Sequence, residues 1–360
     1  MDQEKEEPQR FISEPPLVSV IIVNYEGIKW LQLFMAQLIH NTSYPHFEVI
    51  VVDNASSDGS VEYLQDKFSQ VKIIKLTENR GYAHGTNVGV KEANGEVLAF
   101  LNNDIEVTPE WLSEAVSKLY SQDDIGAVQC KSIFHGTKDL IDSVGLSIDR
   151  CNVALIIGRN EKDTGQYDTL SEIGAFSGGS MLIRRKLFKQ IGGFDETYFM
   201  YFEDVDLSWR LKMSGYKIVP APTSLVYHVG SASSKIVTRD KVWDPSPFFA
   251  FEMTKNYLYC WFKNSKPKTV ICYLPVICCV VISMCLLALI RGKPKIFAAH
   301  IKAVTWIIGN AKTIYKKGTE IQKLKKGQSD DLLFVKQVSR GSTNLTNGIR
   351  KMLSMMRNAI

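Results

Sequence analysis

The chain has 360 residues, 45% of them hydrophobic, and a formal charge of +5 at pH 7, which is ample apolar material for one large domain or two. That charge is divided: from Arg291 to the end, fifteen Lys and Arg face three acidic residues, a net +12, while the rest carries −7. An acidic body argues against a nucleic-acid binder, and the seven cysteines show neither a disulfide framework nor metal-ligand spacing, as in a reducing, cytosolic compartment.

Residues 1–16 form a charged, proline-punctuated leader without the apolar core of a secretory signal. Short apolar, β-rich runs come next at 17–23, 47–52, 71–76 and 97–101. Helical patterns separate them: Trp30, Leu31, Phe34, Leu38 and Ile39 recur at near-helical spacing, and Pro109 opens a further helix. Strands alternating with helices, without hairpin turns, predict an α/β fold of the Rossmann-like kind, a mostly parallel mixed sheet with helices on both faces. Residues 126–234 are less regular, with strand-like stretches at 153–157, 179–183 and 217–219 and a helix near 205–214. This second half is expected on the sheet's edge, where an acceptor is recognised.

Residues 269–290 carry no charge, and a helix of that length spans roughly the 30 Å of a bilayer's hydrocarbon core. They read as a membrane segment. Lys263, Lys266 and Lys268 precede it and Arg291, Lys293 and Lys295 come after it, so flanking charge gives no orientation. Pro275 and the basic tail leave a single span, a re-entrant hairpin and an interfacial segment all open. Phe297, Ile301, Val304 and Ile308 share one helical face with Lys302 roughly opposite; this suits a helix in the headgroup plane or one packed on the domain. The expected division is 1–16 leader, 17–250 catalytic-type domain in halves 17–125 and 126–250, 251–318 membrane-associated helices, and 319–360 a basic tail suited to an anionic membrane.

Several motifs carry chemistry. Val97–Leu101 ends abruptly in Asn102, Asn103 and Asp104, and strand ends are where open α/β sheets bind ligands. A second acidic cluster runs from Phe202 to Asp206. Asn24 and Tyr25 end the first strand, and Asp53 to Ser60, dense in turn formers, end the second; these two segments outline one wall of a nucleoside pocket, although the latter also reads as a turn and helix cap. In the run from Asn79 to Gly89 the glycines stand four apart, which fits close helix packing as well as ligand approach and matches neither a dinucleotide fingerprint nor a P-loop. His84 reads as local; His228, before a Gly/Ser loop, can be a metal ligand. At a helix start, acidic residues also complement the dipole, which accounts for Asp206 without excluding a catalytic Asp204.

In this order, with Gly178-Gly179-Ser180 and Gly192-Gly193-Phe194-Asp195-Glu196 between them, the motifs closely resemble glycosyltransferase family 2, in its rhamnosyltransferase-like branch with the GT-A fold. The resemblance covers residues 17–234 and implies an inverting transfer of a single sugar from a nucleotide-diphosphate sugar to a glycan or lipid-linked saccharide, in cell-surface polysaccharide synthesis at the cytoplasmic face of the membrane. It assigns Asp204 as catalytic base and Asn24, Tyr25, Asp53, Asn79, Gly81, Asn87 and Asn103 to the nucleotide. It further places Asp104 and His228 on a divalent cation, Mg²⁺ or Mn²⁺, and Gly179, Ser180 and Glu203 at the acceptor. Rhamnose from a dTDP donor is favoured by the resemblance alone. The Asp-x-Asp form of the metal motif appears here as Asn102-Asn103-Asp104, so a single carboxylate remains. No Gln-x-x-Arg-Trp motif of processive synthases occurs. The alternatives are a non-catalytic nucleotide-sugar-binding membrane adaptor, which does not need Asp204, and a nucleotidyltransferase, which lacks its Lys-bearing phosphate loop here.

Overall fold

Near-continuous apolar runs build the N-terminal half into a parallel sheet buried on both faces. The computed structural model describes residues 14–148, 154–230 and 246–324; the leader before Glu14, Cys151 and the tail beyond residue 324 lie outside the described residues. Strands β1 (Val18–Asn24), β2 (Phe47–Asp53), β3 (Lys72–Lys75) and β4 (Val97–Leu101) stand in the order β3-β2-β1-β4, all parallel. Side chains alternate across a strand, so Val18, Val20 and Ile22 of β1 pack with Leu31, Met35 and Leu38 of helix α1 (Ile28–Asn41). Ile21 points to the opposite layer, with Ala83 and Val90 of α3 (Gly81–Glu92). Helix α2 (Ser60–Lys67) contributes Leu64 to the first layer. Gly85 and Gly89 serve close packing: a methyl group on either would strike Val23 or Ile21.

The second half continues this sheet and does not sit on its edge. After β5 (Ile105–Val107) and α4 (Trp111–Tyr120) come β6 (Ile125–Phe134), β7 (Ile141–Ser143), β8 (Leu146–Ile148), β9 (Ala154–Ile156) and β10 (Ser180–Arg184). Helices α5 (Arg185–Gln190) and α6 (Glu203–Met213) precede the long strand β11 (Lys217–His228). Strand β10 inserts antiparallel between β4 and β6; β11 then runs parallel to β6 and antiparallel to β5, while β8 and β9 pair apart. The sheet is thus parallel in its first half and mixed in its second. Pro109 lies two residues before α4, in the turn that starts it.

Four helices complete the described chain: α7 (Pro247–Asn264), α8 (Pro267–Ile290), α9 (Pro294–Gly309) and α10 (Ala311–Gln322). The domain boundary expected at 250 falls inside α7, whose Tyr257 to Trp261 pack with Tyr198, Val205 and Trp209 of the preceding α/β domain. Ala250 near the start of α7 meets Ala288 near the end of α8 and Ile296 and Ala299 early in α9, so α8 runs back along α7 and α9 returns beside it. Of the face expected to be amphipathic in α9, Ile301 and Ile308 are exposed and Phe297 and Val304 partly covered, while Ala299, Ala303 and Ile307 are buried. Helix α9 is therefore packed on the bundle.

Candidate active site

Strand ends build one side of the site. Asn24 Nδ2 donates to Asp53 Oδ1 at 3.0 Å, and Asn103 Nδ2 donates to Asn24 Oδ1 at 2.8 Å, so the tips of β2, β1 and β4 are tied in one row. Asp53 is fully buried. Its carboxylate accepts from the Ser56 amide at 2.9 Å and the Ser56 hydroxyl at 2.6 Å, so it holds the 54–58 loop from beneath. Tyr25, 52% exposed, is the open surface of this wall.

The 79–89 segment is bound into the domain by its own side chains. Asn79 Oδ1 accepts from the Gly81 amide at 2.9 Å, a local turn bond. Gly81 has φ of +86°, and a methyl group there would collide with the Phe199 carbonyl; glycine permits that backbone approach. Both amide atoms of Asn87 are spent on the 194–196 loop, bonding the Phe194 carbonyl and amide and Glu196. Gly81 and Asn87 thus clamp α3 to the loop that precedes α6. His84 also pairs with Glu196, at 2.7 Å and 112 residues along the chain.

Asp104 and His228 meet. His228 Nε2 lies 3.3 Å from Asp104 Oδ1, because β11 pairs with β5 immediately after Asp104, and its Nδ1 lies 2.9 Å from Asp142 Oδ2. Burial opposes a charge on His228, but hydrogen bonds and charge from the two carboxylates raise it to about 10. Asp142, unforeseen in sequence, also binds Arg159 at 2.6 Å. It fixes the ring with Nε2 toward Asp104, the second-shell arrangement usual for a metal-binding histidine. Among the described residues no three such groups form a complete metal cage. One carboxylate oxygen and one imidazole nitrogen, once the cation displaces the ring's Nε2 proton, nevertheless fit a cation that takes its other ligands from phosphates and water.

Asp204 stands across a short loop from that strand end. Gly178 has φ of +37°, and a methyl group on it would sit 3.2 Å from Asp204 Oδ2. The next carbonyl, of Gly179, accepts from the Asn102 amide at 2.9 Å. Two adjacent residues therefore connect the acid at the start of α6 with the strand end bearing Asp104. Gln129, also unforeseen, fixes this loop from both ends: its Oε1 accepts from the Ser177 amide and its Nε2 donates to the Ser180 carbonyl. Ser180 is buried as the first residue of β10, so its side chain is not open to an acceptor as expected; Gly179 is the more exposed member of the pair.

The turn into α6 is strained. Tyr201 and Phe202 both have φ of 69°, at a cost of about 1–3 kcal/mol each for residues other than glycine. Helix α7 holds them there, Asn256 Nδ2 donating to the carbonyls of Met200 at 2.8 Å and Tyr201 at 3.0 Å. Burial pushes the Asp204 carboxyl up to about 6, against hydrogen bonds from the backbone of Val205 and Gly178. Glu203 is more buried; burial first and the Asp204 charge second push it up to about 8. Asp206 goes the other way: burial opposes its charge, but Lys263 and Arg210 hold it below the usual range.

Glu203 carries a consequence for stability. Its folded-state pKa lies above the ordinary 4.5, so the stability it confers is complete below that pH and is lost as pH rises through about 8. Glu203→Gln is expected to flatten this dependence, stabilising the fold by a few kcal/mol at pH 8 and little at pH 4. Denaturant melts at the two pH values measure it, and parallel shifts would contradict it.

Comparisons with known proteins agree with this fold. Residues 19–192 match the family described as glycosyl transferase family 2, and residues 164–230 match the N-terminal domain of galactosyltransferase. An O-antigen biosynthesis protein of Myxococcus xanthus is 32% identical over 224 residues, 59% of this chain and 17% of that protein. An N-acetylglucosaminyl-diphospho-decaprenol L-rhamnosyltransferase of Mycobacterium tuberculosis is 28% identical over 239 residues, 59% of this chain and 76% of that protein. The chain spans a quarter or less of two of its curated relatives. In structure, a Pyrobaculum calidifontis mannosyltransferase solved with GDP-Man and Mn²⁺ aligns at TM-score 0.51 and 17% identity, over 96% of this chain and 86% of that one. GalNAc-T7, solved with UDP, GalNAc and Mn²⁺, aligns at 0.55 and 21%, over 72% and 50%. The chain carries a glycosyl transferase family 2 domain on a GT-A fold.

Proposed function

We propose that the chain is an inverting glycosyltransferase that adds one sugar from a nucleotide-diphosphate donor to a saccharide hydroxyl. The observation that carries this reading is the Gly178-Gly179 bridge, which sets Asp204 beside the strand end of Asp104. The donor's base lies against Tyr25, in the wall that Asn24, Asn103 and the buried Asp53 keep rigid. Asp104 and His228 hold a divalent cation, Mg²⁺ or Mn²⁺, with Asp142 behind the histidine; when bound, the cation neutralises charge gathering on the departing diphosphate. Asp204 accepts the proton of the acceptor hydroxyl as its oxygen bonds to the anomeric carbon and the bond to the diphosphate breaks. Attack from the face opposite the leaving group inverts the configuration. Glu203, neutral at pH 7, donates a hydrogen bond toward the acceptor from its buried position beside Asp204 at the start of α6.

The finer proposal is a rhamnose-type donor such as dTDP-rhamnose and a lipid-linked saccharide acceptor in surface polysaccharide synthesis, at the cytosolic face of the membrane. The rhamnosyltransferase and O-antigen relatives support it, and a Mn²⁺-bound neighbour on the same fold supports the cation. A panel of dTDP-, UDP- and GDP-sugars, assayed with saccharide acceptors with and without Mn²⁺ and read by mass for nucleoside diphosphate and glycosylated product, tests it. Binding of a donor without consumption of any would leave the adaptor reading instead. Asp142→Asn is expected to weaken Mn²⁺-supported binding of nucleoside diphosphate by about 10–100-fold, measured by calorimetry. Equal affinity would remove Asp142 from the metal's support.

A further inference from the structure

We infer that α8 and α9 present a face that lies along an anionic lipid bilayer without crossing it. The inference rests on the membrane attachment proposed above and specifies its form. Helix α8 is long and apolar enough to span a membrane, with mean hydropathy 2.8. A single crossing would put α9 and α10 on the far side of the bilayer from α7 and the catalytic domain, yet both helices are bonded to them. In α9, His300 Nδ1 lies 2.8 Å from the Thr254 hydroxyl of α7, and Trp306 meets the Tyr259 ring with centroids 5.8 Å apart. In α10, Lys317 Nζ donates to Asp195 and to Thr197, both at 2.9 Å, and Gln322 donates to the Asn264 carbonyl at 2.8 Å. Gly318 lies so close to Lys263 that a methyl group would sit 2.8 Å from its carbonyl. No bilayer fits between these partners.

Helix α8 has two faces. Ile277, Val280, Val281, Cys285 and Ala288 are buried in the bundle. Ile271, Pro275, Cys278, Ile282, Leu286 and Ile290 recur every three or four residues on the open side, all exposed. At 1.5 Å per residue the helix that bears this apolar stripe is roughly 36 Å long, and Ile301 and Ile308 of α9 add to the exposed apolar surface. Single exposed apolar residues are ordinary, but a continuous stripe marks an interaction surface.

Charge selects the occupant. Between Glu252 and Glu320 the sequence has no acidic residue and nine beyond Lys263 that are Lys or Arg. Five of these stand at the two ends of α8, among them the exposed Lys268 and Lys295. A basic border around an apolar face suits anionic headgroups over acyl chains. In a second copy of this chain the same border would face like charge. The bundle that meets lipid is also the one that holds the turn before Asp204, through Asn256, so a lipid-borne acceptor is brought to the face that supports the catalytic acid.

The test adds the purified full chain to preformed sealed vesicles of phosphatidylcholine, with and without phosphatidylglycerol, and measures flotation. Binding is expected with phosphatidylglycerol and to fall roughly tenfold or more without it, or in Ile282→Glu/Leu286→Glu, while thermal melting is unchanged. In membranes from expressing cells, single cysteines at Lys268→Cys and Lys295→Cys, in a background with the native exposed cysteines replaced by Ser, are expected to react with an impermeant maleimide from the same side. Labelling from opposite sides would overturn the in-plane arrangement and leave membrane attachment standing. Absence of flotation would overturn both, and donor turnover remains a separate measurement of the glycosyltransferase reading. A lipid-free dimer that the double variant dissolves would assign the face to a second copy and overturn the inference.

Discussion

Asp204→Asn is expected to lower kcat by about 10²–10⁴-fold with the affinity for nucleoside diphosphate unchanged. The asparagine keeps the bond from the Val205 amide that positions the side chain, 2.7 Å in the wild type, but cannot take a proton. In the proposed mechanism Asp204 works as base only when ionised. Because burial raises Asp204 to about 6, kcat/KM should climb with pH up to that value and level off above it, falling again where Glu203 loses its proton near 8. Stopped assays across the acid and alkaline limbs read both changes. Undiminished transfer in the variant would remove Asp204 from its role.

Lys263→Met is expected to destabilise the fold by about 3–5 kcal/mol. Lys263 is 1% exposed, and its ammonium lies 2.7 Å from both Asp195 and Asp206. Removing it leaves the buried Asp206 and the partly buried Asp195 carboxylates each short of a partner, although Arg210 still binds Asp206 and Lys317 still binds Asp195. The cost of breaking such a pair is mainly the charge left behind. Asp206→Asn in the Lys263→Met background should therefore recover part of the loss, and a double-mutant cycle from urea melts measures the coupling. Additive losses would contradict the network.

The parallel half of the fold is legible because its strands are apolar on both faces; Val97–Leu101 is a strand with the boundaries its residues suggest. Strand β6 is not, since Gln129, Lys131 and Ser132 interrupt its apolar pattern. All three are buried nonetheless: Gln129 clamps the Ser177–Ser180 loop, and Lys131 binds Asp163 and Asp168 at 2.9 and 2.7 Å. The pairing of Asp104 with His228 can be suspected from two strand ends. Asp142 cannot, because it sits in a three-residue strand and reaches His228 across 86 residues through a register set only by folding. Asn87 and Gly81 belong to a segment that the motif order singles out, but spacing does not reveal that their partners are Phe194, Glu196 and Phe199. Asp206 and Asp204 are two residues apart with opposite shifts, a contrast that depends on Lys263 and Arg210 reaching Asp206 and not Asp204.

Asn256, two turns of α7 away from Lys263, ties the strained Tyr201-Phe202 pair to the bundle in which α7 packs beside α8, the helix that carries the apolar stripe. Anchor and engine are therefore not interchangeable modules. On the proposed reading, a chimaera that exchanged the C-terminal third for another lipid-binding element would inherit a new address but lose the brace on the turn before Asp204, so retargeting requires α7 to travel with the domain it supports.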